Sequence, residues 1–217
     1  MGEAGMRAQV AESWHRSAAA GVRADADEPP ITLTDDELRD GRRAHPLAQV
    51  FPILDDVLGQ AARDCDAVMA ISDASAQLLW LCGQPDVLRR AATIGFVEGS
   101  NWDERLVGTN APGTAVALDQ AVNVIGAEHF RSAVQGWSCA ASPIHDPSTG
   151  ALLGVLDITG GDSIAVPQTV AMVRAAARLA EAELARLSTA DRTGAVASGS
   201  LGDRQASGVH VSLQALG

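Results

Sequence analysis

The sequence contains no lysine, and that absence excludes two kinds of catalytic site. All 16 basic residues are arginines, so a Schiff-base lysine and the lysine of a phosphate-binding P-loop are both ruled out. Acidic residues outnumber basic ones, since 27 acidic and 16 basic residues give the chain a net charge of −11. We therefore expect the surface to repel nucleic acid rather than to bind it directly.

Cysteine and long apolar runs are scarce as well. The three cysteines (Cys65, Cys82 and Cys139) are odd in number and lack C-x-x-C spacing, which argues against a disulfide framework and against a zinc site. Residues 1–21 are polar and interrupted by charge, unlike a signal peptide. Since no apolar run approaches the roughly 20 residues that span a bilayer, we expect a cytoplasmic protein with no membrane contact.

Sequence signatures of common enzymes are missing. The chain has no G-x-S-x-G, no H-E-x-x-H and no G-x-G-x-x-G after a strand pattern. Its five histidines are scattered without a pair spaced four residues apart, so we expect neither a metal site nor a cofactor. The sequence therefore favours a protein that is not an enzyme. The histidines are His15, His45, His129, His145 and His210.

The chain has 217 residues, of which 47% are hydrophobic, so it can bury a sizeable core. Its two ends are helical in pattern, at residues 3–20 and at about 166–187. Thr34 and Glu37 form a capping box for a short helix, and Pro46 opens a strongly amphipathic helix. Shorter helices are predicted at 85–93 and 111–119.

Five strand patterns lie between these helices. The turn from Asp146 to Gly150 carries proline and glycine where a hairpin turn needs them. Such short connections favour antiparallel pairing. The predicted fold is therefore α+β, an antiparallel sheet of five or six strands with helices packed on it and long helices at both ends. The strand patterns cover 67–71, 77–82, 121–125, 138–145 and 151–159.

Composition divides the chain into four parts. We expect residues 1–45 to form an N-terminal helical extension and residues 46–187 to form the domain that holds the sheet. The small, polar, glycine-rich stretch 188–208 is typical of a flexible linker. Residues 209–217 begin with a strand-like alternation that has no partner, so we interpret them as the start of a missing or truncated following segment.

Several residues are candidates for a binding site, and each also has a structural interpretation. Asn110 precedes a predicted helix with Pro112 in its first turn. It either caps that helix or belongs to a loop whose amides face a ligand. Trp102 and Trp137 are two of only four tryptophans, and each either fills the core or lines a pocket.

The densest candidate cluster runs from residue 128 to residue 139. Glu128, His129 and Phe130 place two ionisable groups and a ring together, and His129 is either a ligand contact or a satisfied structural residue. Cys139 follows on a predicted strand, where a buried thiol behaves as a small apolar residue unless it has a redox role. We predict a ligand-binding site built from Trp102, Asn110, Glu128, His129, Phe130, Trp137 and Cys139.

An ordered series of motifs resembles the acetoin-activator-like regulators of bacterial transcription. Each motif alone is weak, but together they keep the family's order over roughly residues 12–187. The motifs are Glu12-Ser13-Trp14-His15-Arg16-Ser17, Gly108-Thr109-Asn110, Glu128-His129-Phe130, Trp137-Ser138-Cys139-Ala140-Ala141-Ser142-Pro143-Ile144 and Gly154-Val155-Leu156-Asp157-Ile158-Thr159-Gly160.

The resemblance implies a GAF sensory domain, which is an antiparallel sheet with a ligand pocket on one side and helices on the other. Effectors in this family are small organic metabolites such as acetoin, so a metabolite of that kind is the implied partner. Many members continue into an ATPase domain or a helix-turn-helix domain, and no ATPase signature occurs in this sequence. Residues 209–217 resemble the first strand of the region that follows the sensory domain in some actinobacterial members.

We predict a small-molecule-sensing regulatory domain that signals through its terminal helices. Two alternatives stay open. One is a thiol-based enzyme of the free-methionine sulfoxide reductase type, which needs cysteines that can meet, and the other is a purely structural dimerisation module.

A homodimer is expected because the last helix carries coiled-coil spacing. Met172 and Leu179 lie off the line of this spacing and are expected to face the sheet instead. The predicted seam between the two copies consists of Val166, Val170, Val173, Ala177, Ala180, Leu184 and Leu187.

Overall fold

The computed structural model describes residues 7–25 and 28–202, with side chains as far as residue 190. Its centre is one antiparallel sheet with the strand order β2-β1-β5-β4-β3, so the last strand of the chain lies in the middle. This arrangement confirms the predicted α+β fold. The five strands are β1 (Val68–Asp73), β2 (Leu78–Gly83), β3 (Val122–Ile125), β4 (Ser138–His145) and β5 (Leu152–Gly160).

Helices surround the sheet, and local sequence explains how they begin. Thr34 and Glu37 form the predicted capping box, in which each side chain accepts from the other residue's backbone N–H. No helix within the described ranges is long and apolar enough to cross a membrane. The α-helices are α1 (Ala8–Ala19), α2 (Asp35–Ala44), α3 (Phe51–Leu54), α4 (Gln60–Asp64), α5 (Pro85–Ala92), α6 (Glu104–Val107), α7 (Ala111–Leu118) and α8 (Pro167–Gly202).

The amphipathic helix predicted from Pro46 is a series of short segments. A 3-10 turn (Pro46–Gln49) precedes α3, and a π-helical turn (Asp55–Gly59) separates α3 from α4. Pro52 has no N–H and cannot continue an α-helical hydrogen-bond ladder, which is why the stretch changes its winding near this residue. The apolar face of the whole stretch still packs on the sheet, as its periodicity predicts.

The two faces of the sheet differ in chemistry. The first face carries large apolar side chains, among them Ile71, Leu156 and Ile158, which join a core with α8 and the helical stretch 46–64. Neighbouring positions on a strand point to opposite sides, so Asp157 lies on the second face. Helices α5 and α7 contact the strands of the sheet on this side. The second face is therefore where the sheet carries polar side chains under a helical cover.

Helix α8 packs the opposite way from the prediction. Met172 and Leu179, expected to face the sheet, are 36% and 38% exposed. The seam prediction was wrong because both sides of the helix carry apolar residues at helical spacing, and only the tertiary fold decides which side covers the sheet. Of the predicted seam residues, the structure buries Val173, Ala177, Ala180 and Leu184 in the protein's own core.

Helix α8 also continues farther than the sequence suggested. A linker was predicted over residues 188–208, but the helix runs through Gly202. Alanine is the strongest helix former, and the alanines of this stretch favour a helix despite the glycines between them. Residues 203–217, which hold the end of the predicted linker and the strand expected at 209–213, lie outside the described residues.

Candidate ligand-binding site

A buried carboxylate fastens α1 to the cover of the second face. Ser13 donates a hydrogen bond to Glu104 Oε2 at 2.7 Å, Thr114 donates to the same oxygen at 3.2 Å, and Arg16 forms an ion pair with this side chain. Glu104 is only 3% exposed. A carboxylate tolerates such burial when its charge is paired and its oxygens are hydrogen-bonded. Glu104 therefore holds α1 against α6 and α7.

Two of the predicted ligand residues also hold α1. The Glu128 carboxylate forms an ion pair with Arg7 and accepts a hydrogen bond from the backbone N–H of Ile125 at 2.8 Å. Phe130 packs edge-on against Trp14 with ring centroids 4.9 Å apart, and the indole N–H of Trp14 donates to the carbonyl of Glu128 at 2.7 Å. These contacts favour a structural interpretation of Glu128 and Phe130.

Asn110 has a capping role in the structure. Its side-chain oxygen accepts from the N–H of Gly113 at 2.8 Å, and its amide donates to the carbonyls of Trp102 and Gly108 at 2.9 and 2.8 Å. Because two donated bonds and one accepted bond occupy this amide, the geometry favours the helix-cap interpretation. Trp102 is itself buried, and its indole N–H donates to Ser100 Oγ at 3.0 Å.

A group of buried polar side chains occupies the second face of the sheet. The His129 ring lies 3.3 Å from the Cys139 sulfur through Nε2 and 3.0 Å from the carbonyl of Gly126 through Nδ1. Thr159 bridges to both sides, with Oγ1 3.1 Å from the Cys139 sulfur and 2.6 Å from Asp157 Oδ2. We call Asp157, Thr159, Cys139 and His129 the polar cluster, and each of the four is at most 5% exposed.

Asp157 has an unsatisfied oxygen at the centre of the sheet. Its Oδ1 atom is buried and has no hydrogen-bond partner among the described residues. The residues directly opposite it on the neighbouring strands are Ala70 and Ala141, and α7 packs Ala111 and Ala115 onto the same part of the sheet. A buried polar atom without a partner costs roughly 1–3 kcal/mol of stability, so this oxygen is a candidate for contact with a ligand or a bound water.

Burial sets the protonation states of the polar cluster. Removal from water raises the pKa of Asp157 to about 8 and the pKa of Cys139 well above its ordinary value, and it lowers the pKa of His129 to about 4. At neutral pH the cluster is therefore mainly uncharged. The Thr159 hydroxyl donates to Asp157 Oδ2, and the His129 ring links the Cys139 sulfur to the Gly126 carbonyl. Asp157 Oδ1 has no partner among the described residues and is free to hydrogen-bond to a ligand.

Sequence reasoning selected His129 and Cys139 but missed Asp157 and Thr159. A signal was present in β5, because Asp157 is the one ionisable residue in a strand that is otherwise nearly all apolar. An apolar run of this kind predicts a strand covered on both faces, and an acidic side chain there needs a partner or a function. The motif that carried the family resemblance therefore also contained the unusual carboxyl group.

The two predicted tryptophans lie on the same side of the sheet as the polar cluster. Trp137 and Trp102 belong to one apolar cluster that includes Val68 and Ala70 of β1. The guanidinium of Arg90 lies 4.9 Å from the centroid of the Trp137 ring and closes that side. The structure thus brings His129, Cys139 and the two tryptophans to the second face. Glu128 and Phe130 instead contact α1 and the residue before it.

Cys82 and Cys139 are poorly placed to form a disulfide with each other. All three are free, and Cys82 and Cys139 lie on strands separated by β1 and β5. Strand spacing puts these two about 14 Å apart, whereas a disulfide needs Cα atoms within about 7 Å. Burial raises the pKa of Cys82 to about 12, which further suppresses the reactive thiolate. The described residues also hold no group of three or more metal-ligating side chains that could bind an ion.

We expect the exposed Cys65 to react with a water-soluble alkylating reagent at least about 10-fold faster than Cys82 or Cys139, because the other two thiols are shielded and protonated. A time course of peptide mass spectrometry on the folded protein measures the three rates. The same reaction in denaturant serves as the control and should bring the rates together. Rapid labelling of Cys139 in the folded protein would favour the thiol-enzyme alternative.

Comparison with known proteins identifies the class of this domain. A chain in the crystal structure of the E. coli DhaR(N)–DhaL complex shares the fold, with a TM-score of 0.79 at 21% sequence identity over 89% of this chain and 66% of that chain. Residues 3–182 match the family model described as "MimR, N-terminal domain". The fold and the motifs define a GAF-like sensory domain of the acetoin-activator type. The chain belongs to the family of MimR N-terminal domains.

The curated relatives are longer proteins that regulate transcription where their role is given. The acetoin dehydrogenase operon transcriptional activator AcoR of Bacillus subtilis is 37% identical over 84% of this chain and 30% of its own length. The propane 2-monooxygenase operon transcriptional activator MimR of Mycolicibacterium smegmatis is 30% identical over 69% of this chain and 25% of its own length. A 47.3 kDa Rhodococcus erythropolis protein is 46% identical over 82% of this chain and 41% of its own length. The chain thus spans less than half the length of each of these three relatives.

Proposed function

We propose that the chain is the small-molecule-sensing regulatory domain of a transcription regulator and that the polar cluster is its ligand site. The observation that carries the proposal is Asp157 Oδ1, a buried acceptor without a partner among the described residues. A ligand hydroxyl that hydrogen-bonds to this atom would satisfy it and remove its desolvation cost. Ligand binding would then stabilise the folded domain, which is how a sensor couples occupancy to conformation.

The surroundings of Asp157 select a small and uncharged ligand. Ala70 and Ala141 flank the carboxyl group, while Trp102 and Trp137 supply apolar surface on the same face. The cluster is mainly uncharged at neutral pH, so neither an anion nor a cation would find an opposite charge there. A neutral molecule with one or two oxygen functions fits this chemistry best.

The names of the relatives support the same ligand class. They include an activator of an acetoin dehydrogenase operon, a glycerol metabolism operon regulator and the regulator of a dihydroxyacetone kinase operon. Acetoin, glycerol and dihydroxyacetone are all small, neutral and oxygenated. We infer that this chain responds to a compound of similar size and polarity.

Calorimetric titration with acetoin, glycerol and dihydroxyacetone tests the proposal, and mass spectrometry of compounds that copurify with the protein extends this panel. We expect Asp157→Ala to weaken binding by about 10-fold, equivalent to about 1.4 kcal/mol, because it removes the carboxyl group that the ligand contacts. The matched control is Asp56→Ala, an exposed aspartate on the π-helical turn, which should bind as the wild type does. A wild-type protein that binds no panel compound and retains none would favour the structural-module alternative.

A further inference from the structure

His145, at the end of β4, is held between two carboxylates that come from different helices. Its Nε2 atom lies 2.7 Å from Asp119 Oδ1, and its Nδ1 atom lies 3.1 Å from Glu181 Oε1. Asp119 is the residue that follows α7, and Glu181 belongs to α8. The backbone N–H of His145 also donates to Glu181 Oε1, at 3.0 Å. His145 therefore ties α8 to the sheet and to the end of α7.

We propose that His145 is a proton-dependent clamp that fastens α8 to the rest of the domain. Both contacts of the ring need a hydrogen on the nitrogen, because an ionised carboxylate can only accept. A protonated imidazole carries two N–H groups and serves both carboxylates, whereas a neutral imidazole carries one and must release a carboxylate. Loss of the proton also removes the positive charge that lies between the two acidic side chains.

The charged groups around the ring favour the protonated form. Arg174 and Arg178 of α8 line the same cleft as Asp119, Glu181 and His145, and Arg178 is paired with Glu181 at 3.1 Å. Burial lowers the pKa of His145, but the hydrogen bonds to the two carboxylates outweigh burial, so the pKa is raised above its ordinary value of 6.5. The clamp is therefore closed at pH 6, and it opens as the pH rises through the raised pKa.

The other neighbours of the ring do not change this balance. Across the sheet, His145 is paired with the apolar Leu152 of β5. The next residue, Asp146, is also acidic, but its Oδ1 atom accepts from the backbone N–H of Ser148 at 2.7 Å and from its hydroxyl group at 2.5 Å. The charges that decide the state of the ring are thus those of the cleft.

The cleft gives the ring access to solvent. It has a volume of about 290 Å³, and the side chain of His145 is 27% exposed, so a proton can be exchanged without unfolding. Ser142 lines the same cleft, but carboxylates engage both ring nitrogens of His145, and none is left to activate a serine as a nucleophile. The arrangement therefore suits a proton-sensitive contact rather than catalysis.

The clamp is independent of the proposed ligand site. It holds α8, which packs on the first face of the sheet, whereas the polar cluster lies on the second face. Solvent weakens the attractions of a partly exposed ring, so the clamp affects the global stability much less than the fully buried Asp157 does. We expect its main effect to be on the local opening of α8.

An NMR titration of the His145 ring, together with hydrogen exchange of the α8 amides, tests the clamp. We expect the ring to titrate above pH 6.5, and the protection factors of amides near Glu181 to fall by about 3- to 10-fold between pH 6 and pH 8. In His145→Gln the side chain cannot ionise, so this fall should disappear. The control is Glu183→Gln, which removes an exposed pair with Arg186 on the same helix and should keep the wild-type response.

Asp119→Asn tests the same contact with little risk to folding. Asp119 is exposed and has a φ of 50°, a left-handed conformation that asparagine also adopts readily. Because the substitution removes one negative charge from the ring, it should lower the pKa of His145. The proposal is overturned if the wild-type ring titrates at or below pH 6.5, if Asp119→Asn leaves its pKa unchanged, or if His145→Gln retains the fall in α8 protection.

Discussion

The Asp157→Asn variant is expected to be more stable than the wild type at pH 8 and nearly independent of pH where the wild type is not. Burial raises the pKa of Asp157 in the folded protein to about 8, against an ordinary value of 3.8. Between these values the folded state holds a proton that the unfolded state has released. The contribution of Asp157 to the free energy of unfolding therefore falls as pH rises from about 4 to about 8, by up to about 1.4 kcal/mol per pH unit. The lowered pKa of His129 gives the opposite slope below about 6.5, so the net fall is expected between about 6.5 and 8.

Urea unfolding followed by circular dichroism at several pH values between about 6.5 and 8 measures this difference. The asparagine side chain cannot ionise, so its curve should lack the downward slope that the buried carboxyl group produces. Asp56→Asn is the control, since its exposed side chain should leave the wild-type slope in place. Parallel curves for wild type and Asp157→Asn would mean that the carboxyl group is hydrated in the folded state and that the site is open to water.

A gain in stability together with weaker ligand binding would distinguish a functional residue from a structural one. A residue kept for packing loses stability when it is changed, whereas a residue kept for binding often carries a cost that substitution removes. Asp157 is unpaired at Oδ1 within the described structure, unlike Glu104, whose carboxylate is fully engaged. The two acidic residues should therefore respond to substitution in opposite directions.

Glu104→Ala is expected to destabilise the protein by roughly 2–4 kcal/mol and to release α1. The substitution leaves the Ser13 and Thr114 hydroxyls without the carboxylate that accepts from them, and it strands the charge of Arg16. Because α1 also places Trp14 against Phe130, release of the helix should change the tryptophan emission and should expose Arg16 to trypsin.

Denaturant unfolding and limited proteolysis measure the two effects of Glu104→Ala. The control is Asp36→Asn, which removes an exposed ion pair with Arg39 and should cost less than about 1 kcal/mol. A Glu104→Ala protein with wild-type stability and wild-type resistance to trypsin would show that α1 is held by its aromatic contacts alone. The N-terminal motif would then need another explanation.

The strands could be placed from sequence because turn residues mark their ends. The pattern at 138–145 coincides with β4, and the pattern at 151–159 is displaced by one residue from β5. Proline and glycine between Asp146 and Gly150 fix this hairpin locally, and the Thr34 capping box is equally local. Features that depend on a few neighbouring residues were therefore predicted correctly.

The features that the sequence did not predict all depend on tertiary packing. The apolar spacing of α8 occurs on both sides of the helix, so the pattern could not say whether Val173 or Leu179 faces the sheet. His129 and Cys139 were selected as separate residues, but their contact with each other depends on how the segment before β4 folds back. Asp157 was visible only as an acidic residue in an apolar strand, and its unpaired oxygen depends on the alanines of other strands.

The central position of β5 has a consequence for the order in which the protein folds. Val68 in β1 pairs with Thr159 in β5, about ninety positions later in the chain. The β1–β2 and β4–β5 hairpins can each form early because their partners are close in sequence, and the pairing of β5 with β1 then closes the sheet. Closing a long loop costs conformational entropy before the distant strands make contacts, and this slows folding. Asp157, which lies opposite Ala70 and Ala141, therefore reaches its final surroundings only when β5 pairs with β1.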